Sequence, residues 1–280
     1  MRIAVTGASG LLGQELIRTL KRVHVVLPLT RSDADITNPD VIFKRITEFQ
    51  PNLVIHTAAM RDLDLCEKQP ELARAVNIEG TKNTLQAAVA CAADFAFISS
   101  DAVFSGRRSL PYSEDDVPRP CSVYGHTKLA AERIVAQWPR HFIFRISVLF
   151  GREKLNLIET ILRTVATGRQ YAAATDQIGS ATYAPDAIRV IRSVTERHAY
   201  GLFHLCNPGE YSRFELASLA VSVARLAESG VVGRRRDEFD GAATRSEYSA
   251  MRMDRLLTLG IPLPQSVESA LDQYIRTLGF

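Results

Sequence analysis

No stretch constrains the fold of this chain more than Met1 to Leu20. Arg2-Ile3-Ala4-Val5-Thr6 is short, apolar and β-branched, the pattern of a buried strand. Gly7-Ala8-Ser9-Gly10-Leu11-Leu12-Gly13 follows at once, and Leu11, Leu12, Leu16, Ile17 and Leu20 then recur at helical spacing. Strand, glycine turn and helix in this order point to a doubly wound parallel α/β sheet of the Rossmann type. Gly7 allows the tight turn, Gly10 leaves room for a pyrophosphate, and Gly13 lets the helix pack close to the strand. The helix N-terminus supplies amides and partial positive charge for phosphate, so Ser9, Leu11 and Leu12 join the glycines in a predicted dinucleotide site.

A chain of 280 residues holds one large α/β domain, or a nucleotide domain with a smaller companion. Its hydrophobic content of 46% and charged content of 23% are those of a globular protein and exclude disorder as a description of the whole. A net charge of +3 is too small a bias to argue for nucleic acid. The one basic run, Arg234-Arg235-Arg236, is answered by Asp237, Glu238 and Asp240 and reads as a solvated loop. Cys66, Cys91, Cys121 and Cys206 are far apart and lack metal-ligand spacing, which fits reduced structural thiols of a cytoplasmic protein. No apolar run approaches a membrane span, and the opening strand leaves no room for a secretory leader.

Val23 to Leu29 reads as the second strand, ending at Thr30-Arg31-Ser32. An NAD site places an acid here on the ribose 2′-hydroxyl; an arginine between two hydroxyls suits a 2′-phosphate, so NADPH is the expected cofactor and NADH a possible one. A helix near Asp40 to Phe49 and a strand Leu53 to His56 follow. The small Thr57-Ala58-Ala59 leaves ligand space at that strand's end, with Met60-Arg61-Asp62 facing the same crevice. The pattern then predicts one long helix from about Glu71 to Cys91 and a strand from Asp94 to Ser99. Residues 107 to 122, rich in Pro, Ser and charge, read as a long loop over the site. A helix from Val123 to Gln137 and a strand from Phe142 to Ile146 complete residues 1–150 as a nucleotide-binding domain. Residues 151–280 read as a smaller cap interleaved with the last elements of that domain. Within it, helices are expected at Leu155–Thr167, Phe214–Ala227 and Gln265–Leu278, a strand at Gly201–Leu205 and a loop at Tyr171–Pro185.

Tyr124 and Lys128 share one helix face, downstream of a strand ending in Ser99-Ser100. A tyrosine titrates near 10 unaided, roughly three units above neutrality; a nearby ammonium lowers that value and brings general-acid work within reach. Ser100 can hold a carbonyl oxygen as charge develops on it. With a nicotinamide above the carbonyl, the set suits hydride transfer to carbon with a proton from Tyr124 to oxygen.

On these motifs the chain resembles an extended short-chain dehydrogenase/reductase, and most of all the dTDP-4-dehydrorhamnose reductase branch. The glycine loop matches the cofactor loop, Asp35-Ile36-Thr37 the segment near the adenine, and Val76-Asn77-Ile78-Glu79-Gly80-Thr81 the pattern V-N-x-x-G-T. Ser99-Ser100-Asp101-Ala102-Val103-Phe104-Ser105-Gly106 is similar to S-T-D-Y-V-F-D-G, and Tyr124-Gly125-His126-Thr127-Lys128 matches Y-G-x-T-K. Asp176 to Thr182 resembles D-Q-x-G-x-P-T, Phe203 to Ser212 resembles Y-H-x-x-G-x-G-x-x-S, and Arg245 to Ser249 is a faint copy of R-P-x-x-S. The resemblance implies that Lys128 also binds the nicotinamide ribose and that the cap binds the nucleotide half of a sugar substrate.

Departures cluster where that substrate should sit. Ala102, beside Val103, replaces a tyrosine; Val148 stands where the reductases carry tryptophan; Met60-Arg61 replaces a Tyr-Thr pair; Ala181 and Ser246 replace prolines. Ala102 and Val148 remove two aromatic walls, and Arg61 brings a charge to the enlarged space, which suits a bulkier or acidic 4-keto sugar nucleotide. The bland alternative pairs Arg61 with Asp62 or Asp64 at the surface. A second class of function is a cofactor-binding regulatory subunit, because the beta subunit of methionine adenosyltransferase resembles the same family. A nucleotide-sugar epimerase or dehydratase is the weaker third. Metal use has no ligand cluster behind it, and nothing in the sequence bears on oligomeric state.

Overall fold

The computed structural model describes residues 1–280. In chain order the first half runs β1 (Arg2–Thr6), α1 (Leu11–Leu20), β2 (Val25–Leu29), α2 (Pro39–Phe49), β3 (Leu53–His56), α3 (Leu63–Lys68), α4 (Pro70–Arg74), α5 (Gly80–Ala90), β4 (Asp94–Ser100), α6 (Val123–Val135) and β5 (His141–Ile146). The second half runs β6 (Val148–Phe150), α7 (Leu157–Ala166), β7 (Tyr171–Ala174), β8 (Ile178–Tyr183), α8 (Ala184–Glu196), β9 (Gly201–His204), β10 (Asn207–Ser212), α9 (Arg213–Val223), β11 (Val231–Arg234), α10 (Asp254–Thr258) and α11 (Val267–Leu278).

Six strands form one parallel sheet in the order β2-β1-β3-β4-β5-β9. Side chains alternate across it. In β1, Ile3 and Val5 pack with Leu16, Ile188 and Ile191 on the α1/α8 face. Ala4 between them joins Ile42, Ile46, Phe95 and Phe97 on the α2/α5 face. Pro28 is tolerated in β2 because that strand is the sheet's edge. The strand order reverses between β1 and β3, and the crevice at their carboxyl ends is the place where such sheets bind ligands.

The cap holds a three-stranded sheet, β10-β8-β6, and a parallel pair, β11-β7. A separate apolar cluster fills it, with Phe150, Ile158, Leu162, Leu216, Leu271 and Tyr274 fully buried or nearly so. The chain passes between the two halves more than once. α8 returns to pack on α1, β9 pairs with β5, and Ala250, Met251, Met253 and Leu256 re-enter the first half's core.

Two expectations are corrected, and a third gains detail. The long helix from Glu71 to Cys91 is broken: α3 precedes it, Pro70 opens α4, and Ala75–Glu79 is a π-helical turn before α5. Such turns recur at functional sites, and here the turn carries Asn77. The loop expected at Tyr171–Pro185 holds β7 and β8 and the start of α8. Its alanines and glycine carry no β-branched signal, and its strand character comes from pairing with β6, β10 and β11. The irregular stretch 107–122 is docked onto the C-terminal segment. Tyr112 exchanges backbone hydrogen bonds with Ala250 and Arg252 (2.8 and 2.9 Å), and its ring stacks on Phe104 at 4.0 Å.

Candidate active site

At the β1/β3 crevice the glycine turn is built from close backbone approach. Gly7 has φ +68°, and a Cβ there would lie 2.6 Å from Ala58 N and Thr57 Oγ1. Thr57 Oγ1 donates to Thr6 O at 2.7 Å, joining the two strand ends. A side chain at Gly13 would collide with Gly7 O, whereas one at Gly10 would meet only Gly7 O at 3.2 Å and otherwise face open space. No side chain caps α1, and its first turn carries no acid, so its leading amides are free for an anion. Ser9 is exposed at the rim; Leu12 is buried beneath it in the core, with Leu11 half-buried.

Beyond β2, Thr30 N and Oγ1 both donate to Asp33 Oδ2 (2.9 and 2.6 Å), and Ser32 Oγ lies 2.8 Å from Thr30 Oγ1. Asp33 is thereby turned back on the loop. The Arg31 side chain, 80% exposed, has only Asp35 as partner, at 3.2 Å. Asp35 also accepts from Thr37 N and Oγ1, which holds its carboxyl below the usual range. Ile36 packs close under α5: a Cβ at Gly80 would lie 2.6 Å from its Cδ1.

Asn77 explains the V-N-x-x-G-T pattern. Its amide grips both backbone groups of Met60 (2.8 and 3.0 Å) and donates to Thr127 Oγ1 on α6 at 3.0 Å. Thr81 ties the same turn to His56. One buried side chain thus sets the crevice wall against α6.

Ser100 ends β4. Ser122 caps α6 by accepting from Gly125 N at 3.1 Å, which places Tyr124 in the first helical turn and Lys128 in the next. A Cβ at Gly125 would collide with Ala102 O, so that glycine lets the helix approach the turn after β4. Burial pushes the Tyr124 phenol up to about 12, and Asp101 and Cys66 add to the rise; the Ser100 hydroxyl and the Arg61 charge pull the other way. Lys128 Nζ donates to Ile98 O at 2.6 Å and lies 4.0 Å over the Phe97 ring. Burial lowers it to about 7 despite the attraction of Glu132. The expected depression of the phenol by the lysine is therefore corrected: the Lys128 ammonium is turned to the strand carbonyl, and burial dominates the shift of Tyr124. A phenol that stays protonated is the form that donates a proton.

Beneath this set lies a buried network. Glu132 accepts from Ser99 Oγ at 2.5 Å and from Arg145 Nε and Nη2 at 2.9 and 2.7 Å, locking α6 to β4 and β5.

The substrate residues fare unevenly. Val103, expected at the substrate with Ala102, is fully buried in the main core, where the turn after β4 points its side chain away from a ligand. Ala102 and Val148 are half-buried, and Val148 packs against the cap cluster. Arg61 is exposed and makes no ion pair. Asp62 caps α3 through Leu65 N, and Asp64 is paired with Arg245 at 2.7 Å, so the surface pairing of Arg61 does not form.

A cavity of about 680 Å³ opens between the cap and residues 105–121, and it is lined by none of Arg61, Ala102, Val103 or Val148. Tyr171, Phe239 and Ile161 give it apolar faces, and Arg107, Arg213, Arg236 and Arg245 give it positive charge. Arg236 is held by Glu247 (2.6 Å) and Arg245 by Asp64. Arg107 and Arg213 have no side-chain partner. No local sequence pattern marks this cavity. Arg236 was expected in solvent beside its acidic neighbours, but Glu247, eleven positions on, draws it inward. Arg213 carries no motif of its own; only its place at the start of α9, after the capping residue Ser212, marks it.

A doubly wound parallel sheet with this glycine turn and a Ser/Tyr/Lys set beyond β4 defines the class as extended short-chain dehydrogenase/reductase. The family model for the RmlD substrate binding domain matches residues 1–279, and the chain belongs to that family. It is 30% identical over 277 residues to the spore coat polysaccharide biosynthesis protein SpsK of Bacillus subtilis (strain 168), covering 98% of this chain and 97% of that one. A dTDP-4-dehydrorhamnose reductase from Clostridium acetobutylicum ATCC 824 superposes with a TM-score of 0.95 at 34% identity, covering 100% of both chains. The dTDP-4-dehydrorhamnose reductase of Bacillus anthracis str. Ames, solved in complex with NADP, gives 0.95 at 32% identity and 99% coverage of each.

Proposed function

We propose that this chain is an NADPH-dependent reductase of a nucleotide-linked 4-keto-6-deoxy sugar, of the dTDP-4-dehydrorhamnose reductase kind. The observation that carries the reading is the Tyr124 phenol, half-buried beside Ser100 at the end of the crevice that the glycine turn opens. The dinucleotide would lie along Gly7, Ser9, Gly10, Leu11, Leu12 and Gly13, with Asp35 and Ile36 at the adenine end. Arg31 would meet the 2′-phosphate, and Thr57, Ala58 and Ala59 would floor the crevice. NADPH, when bound, supplies the hydride. Tyr124 delivers its proton to the C4 oxygen while Ser100 holds that oxygen, so the carbonyl becomes an alcohol and Tyr124 a phenolate. Lys128, beside the ribose position, supplies the positive charge that the phenolate needs until solvent returns the proton. In the cap cavity, Arg107 and Arg213 suit the diphosphate, and Tyr171 and Phe239 the base. Arg61, Ala102 and Val148 would border the sugar.

The test is a panel of dTDP-, UDP- and GDP-linked 4-keto sugars, including dTDP-4-dehydrorhamnose and an acidic analogue, followed by NADPH absorbance. Turnover of a dTDP-linked member supports the reading. NADPH binding with no turnover of any member defeats it.

A further inference from the structure

Residues 151–156 run from β6 to α7 and pass beside the glycine turn. Gly151 meets the start of α1: a Cβ there would lie 3.4 Å from Leu11 Cδ2. Glu153 Oε1 accepts from Arg18 Nε on α1 at 2.9 Å, and Arg18 also pairs with the buried Glu15. Asn156 knots the segment, sharing its amide protons among Gly151 O (2.9 Å), Lys154 O (3.1 Å) and the Tyr274 hydroxyl of the cap core (2.7 Å). The segment is thus fixed to the cap at one end and clasped to α1 in its middle.

This carries Lys154 Nζ to Ser9 O, 3.5 Å away. The contact is long, and Gln14 Nε2 already donates to the same carbonyl at 2.9 Å. Lys154 is exposed and, like Arg152, has no carboxylate partner; Glu153 between them is turned to Arg18. In the turn itself Gly10 N is committed to Gly7 O at 2.9 Å, but the amides of Leu11, Leu12 and Gly13 donate to no backbone group. An unpaired ammonium therefore stands beside the free amides of an anion site.

We propose that Lys154 is a further cofactor-binding residue, contributed by the cap: its ammonium leaves Ser9 O for the pyrophosphate that the α1 amides hold. A phosphate oxygen carries charge where the carbonyl carries only a dipole, and the contact given up is a long one already shared with Gln14. Ser9 O and the Leu11 amide are one residue apart, about 4 Å of chain, so the flexible lysine stem spans the move. The pyrophosphate is common to NADPH and NADH. Lys154 therefore strengthens both alike, whereas Arg31 acts on the 2′-phosphate alone.

The proposal rests on the cofactor reading of the glycine turn, and its test needs no sugar substrate. Kd values for NADPH and NADH are measured by calorimetry on the wild type and on Lys154→Met, which keeps the stem and removes the charge. A wild type that binds neither dinucleotide overturns the cofactor reading and the proposal together. With wild-type binding in hand, Lys154→Met should raise both Kd values by the same factor, about three- to tenfold at low salt. The loss should shrink toward nothing as salt rises to about 0.5 M, because the charge is exposed. Lys154→Arg should stay within about twofold of wild type. A rise below threefold in Lys154→Met overturns the proposal alone. So does a rise confined to NADPH, which would put the charge on the 2′-phosphate, or one that salt does not change, which would make the role structural.

Discussion

The crevice of the first half and the cavity of the cap are built on opposite plans. In the crevice almost every polar group is already partnered over short, motif-borne contacts: Thr57 on Thr6, Asn77 on Met60 and Thr127, Lys128 on Ile98. In the cap cavity, charged side chains from three distant segments converge, and two of the arginines are left unpaired. The first plan gives a rigid frame with free backbone amides, which binds what every relative of this fold binds. The second leaves charges waiting for a ligand, and it is there that a sugar nucleotide would be told from its analogues.

The sharpest break between the two regions is Tyr124→Phe. It removes the proton donor and keeps the ring, so kcat should fall by about a hundredfold or more while NADPH and dTDP still bind. Near-normal turnover by single-turnover kinetics would mean that another group delivers the proton.

Arg213→Ala acts on the other region. Loss of an unpaired cation from the diphosphate position should raise the dTDP Kd by about ten- to a hundredfold, measured by calorimetry, with NADPH affinity unmoved. Equal weakening of both ligands would show that the two regions are not separate.

Arg31→Ala sharpens the comparison within the crevice. NADPH affinity should fall by about tenfold relative to NADH; the effect is modest because this side chain is 80% exposed. An unchanged ratio would remove the 2′-phosphate from Arg31.

The smallest effect is on stability. Lys128 titrates near 10.5 when free and is lowered to about 7 in the fold. Between those values the unfolded chain binds the extra proton, so stability rises with pH across that window, and below about pH 7 the cost of the buried charge is complete. Lys128→Met should therefore raise Tm by a few degrees near pH 6, with the gain shrinking toward pH 10, while turnover is lost. A gain independent of pH would assign the cost to packing instead of charge.

Much of the crevice was legible because its determinants are local. A buried strand, glycines at fixed offsets and a helical repeat lie within twenty residues, and steric exclusion at Gly7 and Gly13 permits few other side chains. Tyr124 and Lys128 share a face because a helix has a fixed pitch. The breaks at Pro70 and in the π-turn were hidden because the apolar spacing runs through them, and the strands at Tyr171–Tyr183 because pairing, not composition, makes them strands.

By itself the sequence determined the order of strand, turn and helix, the cofactor loop and the identity of the Ser100, Tyr124 and Lys128 set. Only the tertiary structure decided how those groups are charged and what they face. Burial, a property of the whole packed chain, raises Tyr124 and lowers Lys128. It sends Val103 into the core and Arg236 into the cavity, and it brings Ser147 and Ser249 to Asp101 from 46 and 148 residues away. Contacts between residues far apart in the chain leave no periodicity for sequence to carry.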